Sequence, residues 1–384
     1  MKLYKLSAVM FSALLLASCS DIDNQEYAGG AISGEQSQET NSAIPSRTKA
    51  TFAGMFTLIG DPCHNYQTHF SDTRPDDFGF VMSAISLDLE GADMSMQDNG
   101  YNWFSASDEL SSRNANYANP YVRYVIPYTS LGIANDIINA FPADTKDAEA
   151  INMIAQAKTI RAFDYLSLAP YFQGSYQTSK DKPCVPLLDG KNDYTNNPRA
   201  TVAEVYTAII DDLSYAIDNL TDAREDKSRI NKSVALGLRA RAYLYMGEYA
   251  KALVDAEAAM KGYTPASLAD VSVPGFDDSS ASNWMWTYDL TDDQVASAAA
   301  SYATAASWMS AFCGQGYAVA TGNVPMINKL LYDKIPATDV RKGWWLDENL
   351  HSPLLANLEW KDSKGNVLAK GDAIAPLKIK DVKE

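Results

Sequence analysis

Residue types able to do covalent chemistry are sparse in this sequence. It has three histidines, His64, His69 and His351. His64 and His69 stand five apart in a proline-containing stretch, so they do not share a helical face, and no HExxH occurs. There is no GxSxG elbow and no Walker loop. Gly314, Gln315 and Gly316 lack the third glycine of a dinucleotide fingerprint and read as a turn. Cys63, Cys184 and Cys313 are widely spaced, with no CxxC, so they form neither a zinc site nor a disulfide framework; at most one pair could form. Carboxylates are abundant and a glycosidase needs only two, but no spacing singles out a pair. The sequence therefore assigns no catalytic residue, no metal site and no cofactor.

The aromatic residues carry a different chemistry. Sugars present C–H faces that stack on rings, and Trp and Tyr join a large apolar body to a polar tip. Tyr101, Asn102 and Trp103 stand together in a stretch dominated by Ser, Asn and Asp, with Asn99 and Gly100 marking a turn. There Trp103 is the expected stacking platform, Tyr101 adds area and Asn102 adds hydrogen bonds. Trp308 with Tyr317, and the stretch Trp284–Tyr288, have the same composition. Core packing is the competing reading for each, since tryptophans are highly buried on average. Trp284 and Trp286 share one parity, as core residues of a strand would, and Trp344 and Trp345 read as core.

Cys19 is the remaining reactive candidate. Lys2 and Lys5 precede a short apolar run, Ala8 to Ala17, and Leu16, Ala17 and Ser18 lead into Cys19. The run is shorter than the roughly 20 residues needed to span a bilayer. It has the layout of a cleaved signal over residues 1–18. The small residues before Cys19 resemble a bacterial lipobox, in which the thiol receives a diacylglycerol and the new amine is acylated. Two or more chains anchor stably. Residues 19–45 are rich in Ser, Asp, Gln, Glu and Gly, which makes them an expected flexible tether. Asp21 and Asp23 resemble acidic surface-export signals. The formal net charge of -16 argues against nucleic-acid binding, because an acidic surface repels phosphate.

The elements that must position these residues read as helices. Thr48–Ile59, Phe78–Leu89, Tyr121–Phe141 with a break at Pro127, and Asp147–Leu168 have helical apolar spacing. The stretch from Ala169 to Thr195 reads as irregular. Thr201 with Glu204 makes a capping box for a helix running to Leu220. Lys232 to Lys261 reads as a helical hairpin turning at Gly247. Its expected inner faces are Val234, Leu236, Ala240, Tyr243 and Leu244 on one arm, and Tyr249, Ala252, Leu253, Ala256 and Ala259 on the other. The small residues Ala240 and Ala252 fall where two helices of a tetratricopeptide repeat approach closely, and such a hairpin needs neighbours to bury its face. Gly91–Pro120 reads as a long loop, and Gly262–Thr321 as a variable Ser/Ala-rich region.

The blocks PYTSLGIANDIINAFP, AKTIRAFDYLSLAPYFQG, PCVPLLD and TVAEVYTAIIDDLSYAIDNL, followed by the hairpin, resemble the SusD/RagB family of outer-membrane nutrient-binding lipoproteins. The matched positions include Tyr128, Asn135, Lys158, Arg161, Tyr165, Tyr171, Phe172, Pro183, Pro186 and Asp212; downstream, Pro325, Leu330, Asp339 and Arg341 also agree. The resemblance implies a mostly α fold, a tetratricopeptide-like helix-pair scaffold over about residues 121–261 within a domain from 46 to 384, with a loop-rich ligand-binding part. Family members usually continue further, so it implies a C-terminally truncated domain.

It further implies a surface-exposed, lipid-anchored outer-membrane protein, not an enzyme. Such a protein binds a glycan or another nutrient and serves a SusC-like TonB-dependent transporter. A surface glycoside hydrolase and a scaffold without ligand are the alternatives.

Overall fold

The structure is a computed structural model. It describes residues 43–60, 79–96, 110–114, 118–191, 197–272, 279–288, 325–347, 359–361 and 364–373, with 36, 39, 40, 116, 349, 351, 352 and 354 besides. Its body is a succession of helices. These are α1 (Pro45–Gly60), α2 (Gly79–Glu90), α3 (Ala118–Asn139), α4 (Ala148–Phe172), the short α5 (Tyr176–Ser179), α6 (Val202–Asn219), α7 (Lys232–Met246) and α8 (Tyr249–Ala259), with α9 (Lys329–Lys334) further on. Helix α3 packs on α4, α4 on α6, α6 on α7 and α7 on α8, while α1 lies against α3. This is the expected helix-pair scaffold. Two small antiparallel sheets join β1 (Met94–Met96) to β2 (Pro325–Ile327) and β3 (Glu359–Lys361) to β4 (Val367–Lys370).

The helix signals act as their chemistry dictates. Asp147 caps α4 by accepting from the N–H groups of Glu149 and Ala150 at 2.8 and 3.1 Å. The Thr201 hydroxyl accepts from Glu204 N at 3.2 Å, and the Glu204 carboxylate accepts from Thr201 N at 2.7 Å, completing the capping box. Along α6, Val205, Ile209, Leu213 and Ala216 repeat at spacings of four and three and are all fully buried. They meet Ile160 and Leu168 of α4 and Val234 and Leu238 of α7 in one core.

Two expectations about proline fail. Helix α3 runs unbroken through Pro127, and α4 continues past Pro170 to Phe172 instead of ending at Leu168. An interior proline removes one backbone hydrogen bond and costs about 3 kcal/mol. Burial of Ile126, Leu131 and Ala134 around Pro127 offsets that loss in α3. In α4 the proline falls in the last turn, and Tyr171 and Phe172 beyond it pack edge-on at 5.2 Å.

The hairpin turns at Gly247 as expected, with φ +77 and its N–H donating to Leu244 O at 3.0 Å. The inner faces differ from the expected ones. Val234, Leu236, Ala240, Ala252 and Ala259 are buried, whereas Leu244, Tyr249 and Leu253 are exposed, Tyr249 to 68%. The α8 face that meets α7 is Ala252, Asp255 and Ala259. Asp255 is inward because Arg239 of α7 grips it with Nε and Nη2 at 2.7 and 2.9 Å. An ion pair thus occupies space that apolar spacing alone assigns to leucine.

Within α4, Asp164 is fully buried. Burial pushes its pKa well above the carboxylate range; the Ser130 hydroxyl opposes this less strongly. Unfolded, the group titrates near ~3.9. Above that pH the unfolded chain releases a proton that the folded chain keeps, so this group destabilises the fold increasingly as pH rises toward its folded pKa. Asp164→Asn removes that titration. Its stability relative to the native protein is therefore expected to rise as pH climbs above about 4. The rise should be about 1.4 kcal/mol for every pH step of one over which the folded carboxyl stays protonated. Urea unfolding of both proteins across that range measures the difference, and a difference that does not change with pH would refute this.

Candidate functional site

Cys19, Tyr101, Asn102, Trp103, Trp308 and Tyr317 lie outside the described residues. The frame that holds their segments is described. Strand β1 pairs with β2 in the register Met94↔Ile327, Ser95↔Met326 and Met96↔Pro325, and Asn328 N–H donates to Asp93 O at 3.0 Å. The chain therefore leaves the sheet after Met96 and re-enters it before Pro325 at the same end. Met96, which precedes the stretch bearing Tyr101–Trp103, is thus paired with Pro325, which follows the stretch bearing Trp308 and Tyr317.

Glu90, at the end of α2, fastens the other end of the first stretch. Its side chain is 5% exposed and bridges two arginines, Arg113 Nε at 3.1 Å and Arg123 Nη1 at 2.5 Å. Just before Arg113, Leu110 has φ 58, a left-handed conformation uncommon for a residue with a Cβ. Arg123 lies over the Tyr171 ring at 4.3 Å. Tyr171 continues into a ring cluster with Phe172, Tyr124 and Tyr128, the last two 4.4 Å apart. Nearby on α2, burial raises the pKa of Asp88, with a smaller push from Asp93.

A second polar cluster joins α3, α4 and α6. Asp212 takes Lys158 Nζ at 2.7 Å and Arg161 Nε and Nη2 at 2.8 Å each. Arg161 Nη1 reaches Asn135 Oδ1 at 2.7 Å, and Asn135 Nδ2 donates to Leu188 O at 3.0 Å. The strap from Cys184 to Gly190 is thereby tied across the helices. Tyr128 Oη donates to Pro186 O at 2.7 Å, Leu188 N donates to Tyr165 Oη at 2.8 Å, and Asn139 Nδ2 donates to Asp189 O at 2.7 Å. Burial pushes Tyr165 up to about 12 and Tyr128 further still. Gly190, at φ +77, ends the strap; a Cβ there would come within 2.9 Å of Asn135 Cβ. The matched motif residues Tyr128, Asn135, Lys158, Arg161, Tyr165 and Asp212 thus hold the strap and the helices together.

The described tryptophans divide. Trp286 is part of the packing, edge-on to Phe163 at 5.3 Å with Nε1 donating to Ser228 O at 3.0 Å. It lies in no strand, contrary to the parity reading. Trp344, expected in the core, is half exposed, with its Nε1 held by Val271 O at 2.7 Å. Cys184 is a free, buried thiol. Sequence reasoning missed the β1–β2 pairing, because two three-residue strands so far apart carry no periodic signal. It also missed the role of Glu90, a single acid at a helix end.

The SusD-like family, described as starch-binding and associating with the outer membrane, matches residues 80–244. A SusD-like protein of Bacteroides ovatus is 30% identical over 123 residues, which is 30% of this chain and 21% of that one. SusD-like protein P2 of Formosa agariphila is 24% identical over 261 residues, 67% of this chain and 46% of its own. The crystal structure of a SusD-like carbohydrate binding protein from Bacteroides vulgatus superposes with a TM-score of 0.63 at 21% identity, covering 77% of this chain and 60% of that one. The likeness to the SusD-like family thus lies in this helical body, over residues 80–244. The chain spans less than half the length of the two curated relatives it matches.

Proposed function

We propose that the protein is a lipid-anchored outer-membrane binding protein that captures a glycan without modifying it and presents it to a SusC-like TonB-dependent transporter. The pairing of β1 with β2 supports this reading, because it joins Met96, which leads into the stretch of Tyr101–Trp103, to Pro325, which follows that of Trp308 and Tyr317. Rings from both stretches would form a single sugar-facing surface, with Trp103 as the main platform. The family description, starch binding and outer-membrane association, supports the same reading.

Incubating the protein with a panel of polysaccharides tests it. Binding without new reducing ends is the expected result; new reducing ends would make it a glycoside hydrolase. For a glycan that binds, Trp103→Ala should weaken affinity about ten- to a hundredfold, by analogy with the roughly 1–3 kcal/mol per stacked base. Calorimetry measures this, with circular dichroism confirming the fold. Unchanged affinity would move the platform to Trp308 or Tyr317. The anchor depends on the Cys19 thiol, so Cys19→Ala should abolish fatty-acid labelling in cells, and equal labelling would refute it. The partner reading expects co-purification with a transporter through an interface on the order of 2,000 Å² or more.

A further inference from the structure

We propose that the groove along α3 between Gly132, Asp136 and Leu188 is a second sugar site, which takes one neutral pyranose unit. The choice of a sugar rests on the glycan reading above; the site itself rests on geometry. The groove has a volume of about 420 Å³ and is lined by Tyr128, Thr129, Gly132, Ile133, Asp136 and Leu188. Small-molecule sites have volumes of roughly 300–1,000 Å³.

Its walls are built firmly. Leu188 belongs to the strap, whose carbonyl and amide at that residue are bonded to Asn135 and Tyr165. Tyr128 is fixed by its bond to Pro186 O. The floor is Gly132, inside a 22-residue helix, where glycine costs roughly 0.5–1 kcal/mol relative to alanine. A Cβ at Gly132 would meet nothing within 4 Å. Packing among the described residues thus gives no return for that cost, and the space left by the missing side chain is groove.

Asp136 supplies the polar end. Burial raises its pKa, Arg47 acts against that rise, and among the described residues its carboxylate has no hydrogen-bond partner. It can accept two sugar hydroxyls. The Thr129 hydroxyl donates to Val125 O at 2.8 Å and keeps lone pairs for a third. Tyr128, Ile133 and Leu188 offer apolar surface to C–H groups. Arg47 offsets the Asp136 charge, so a neutral polyol suits the groove. Asp136 stands thirteen residues along α3 from Arg123, about 20 Å at 1.5 Å per residue, so this site is separate from the loop base held by Glu90.

Methyl NMR of the intact protein tests the proposal, with glucose, galactose, mannose and xylose as probes. At least one sugar is expected to shift the Ile133 and Leu188 methyl signals saturably. Gly132→Leu, which fills the groove, and Asp136→Asn, which keeps its shape, should each weaken that binding about tenfold or more, and Leu253→Ser, on an exposed face of α8, should leave it unchanged. If Gly132→Leu fails to fold, Asp136→Asn decides. The proposal falls if no sugar shifts these methyls, if both variants bind as the native protein does, or if tetramethylammonium shifts them and the sugars do not. Failure of the principal site reads separately, as polysaccharide binding that is absent or unaffected by Trp103→Ala.

Discussion

Replacing Asp212 with alanine is expected to destabilise the protein by about 3–5 kcal/mol, the range for breaking a buried ion pair from one side. The residue is 4% exposed and is the shared acceptor for Lys158 and Arg161. Both cations are themselves largely covered, with side chains 22% and 15% exposed. Removing the carboxylate leaves two positive charges side by side on α4, turned toward α6, with little water to screen them. The damage should also spread, because the same guanidinium holds Asn135, and Asn135 holds the strap at Leu188.

Urea unfolding measures the loss, and amide exchange at Leu188 measures its reach. A change below about 1 kcal/mol would mean that the cluster behaves like a surface pair. Replacing Asp212, Arg161 and Lys158 together by apolar residues of similar size should cost much less than the single change, since no charge is then stranded.

Ala252→Trp is expected to cost several kcal/mol, more than the typical ~1–3 for overpacking. Ala252 is 4% exposed on the α8 face that meets α7. An indole there cannot be accommodated by rotamer choice alone. It must push α8 away from α7, and the Arg239–Asp255 pair, one turn along the same face, would be pulled apart with it. Thermal unfolding reports the effect. Leu253→Ser, next in sequence but 59% exposed, is the control and should change stability by no more than about 0.5 kcal/mol. Equal melting temperatures for native and Ala252→Trp would place Ala252 on an open face.

The two changes differ in how visible they are beforehand. Ala252 is legible from sequence, because a small residue in register with Ala240 marks close helix approach. Asp212 and Asp255 are not, because an acid on a helix looks solvated until its partners are known. Those partners lie 54, 51 and 16 residues away in the chain. The same limit explains the exposed Leu244, Tyr249 and Leu253: apolar spacing identifies a face without saying whether another element covers it.

Sequence alone determined the features whose causes are local. The caps at Asp147 and Thr201, the Gly247 turn, the helical stripes and the aromatic composition of the candidate binding stretches are all set by neighbours within one or two turns. Tertiary structure decided what depends on contacts between distant segments. Pro127 and Pro170 are absorbed because packing outweighs a lost backbone bond. Glu90 becomes a clasp because two arginines converge on it, and Met96 meets Pro325 because the fold closes a sheet across more than two hundred residues. The groove at Gly132 likewise exists only once the strap is tied across α3. Its parts are ordinary in sequence, since the free volume belongs to none of them singly.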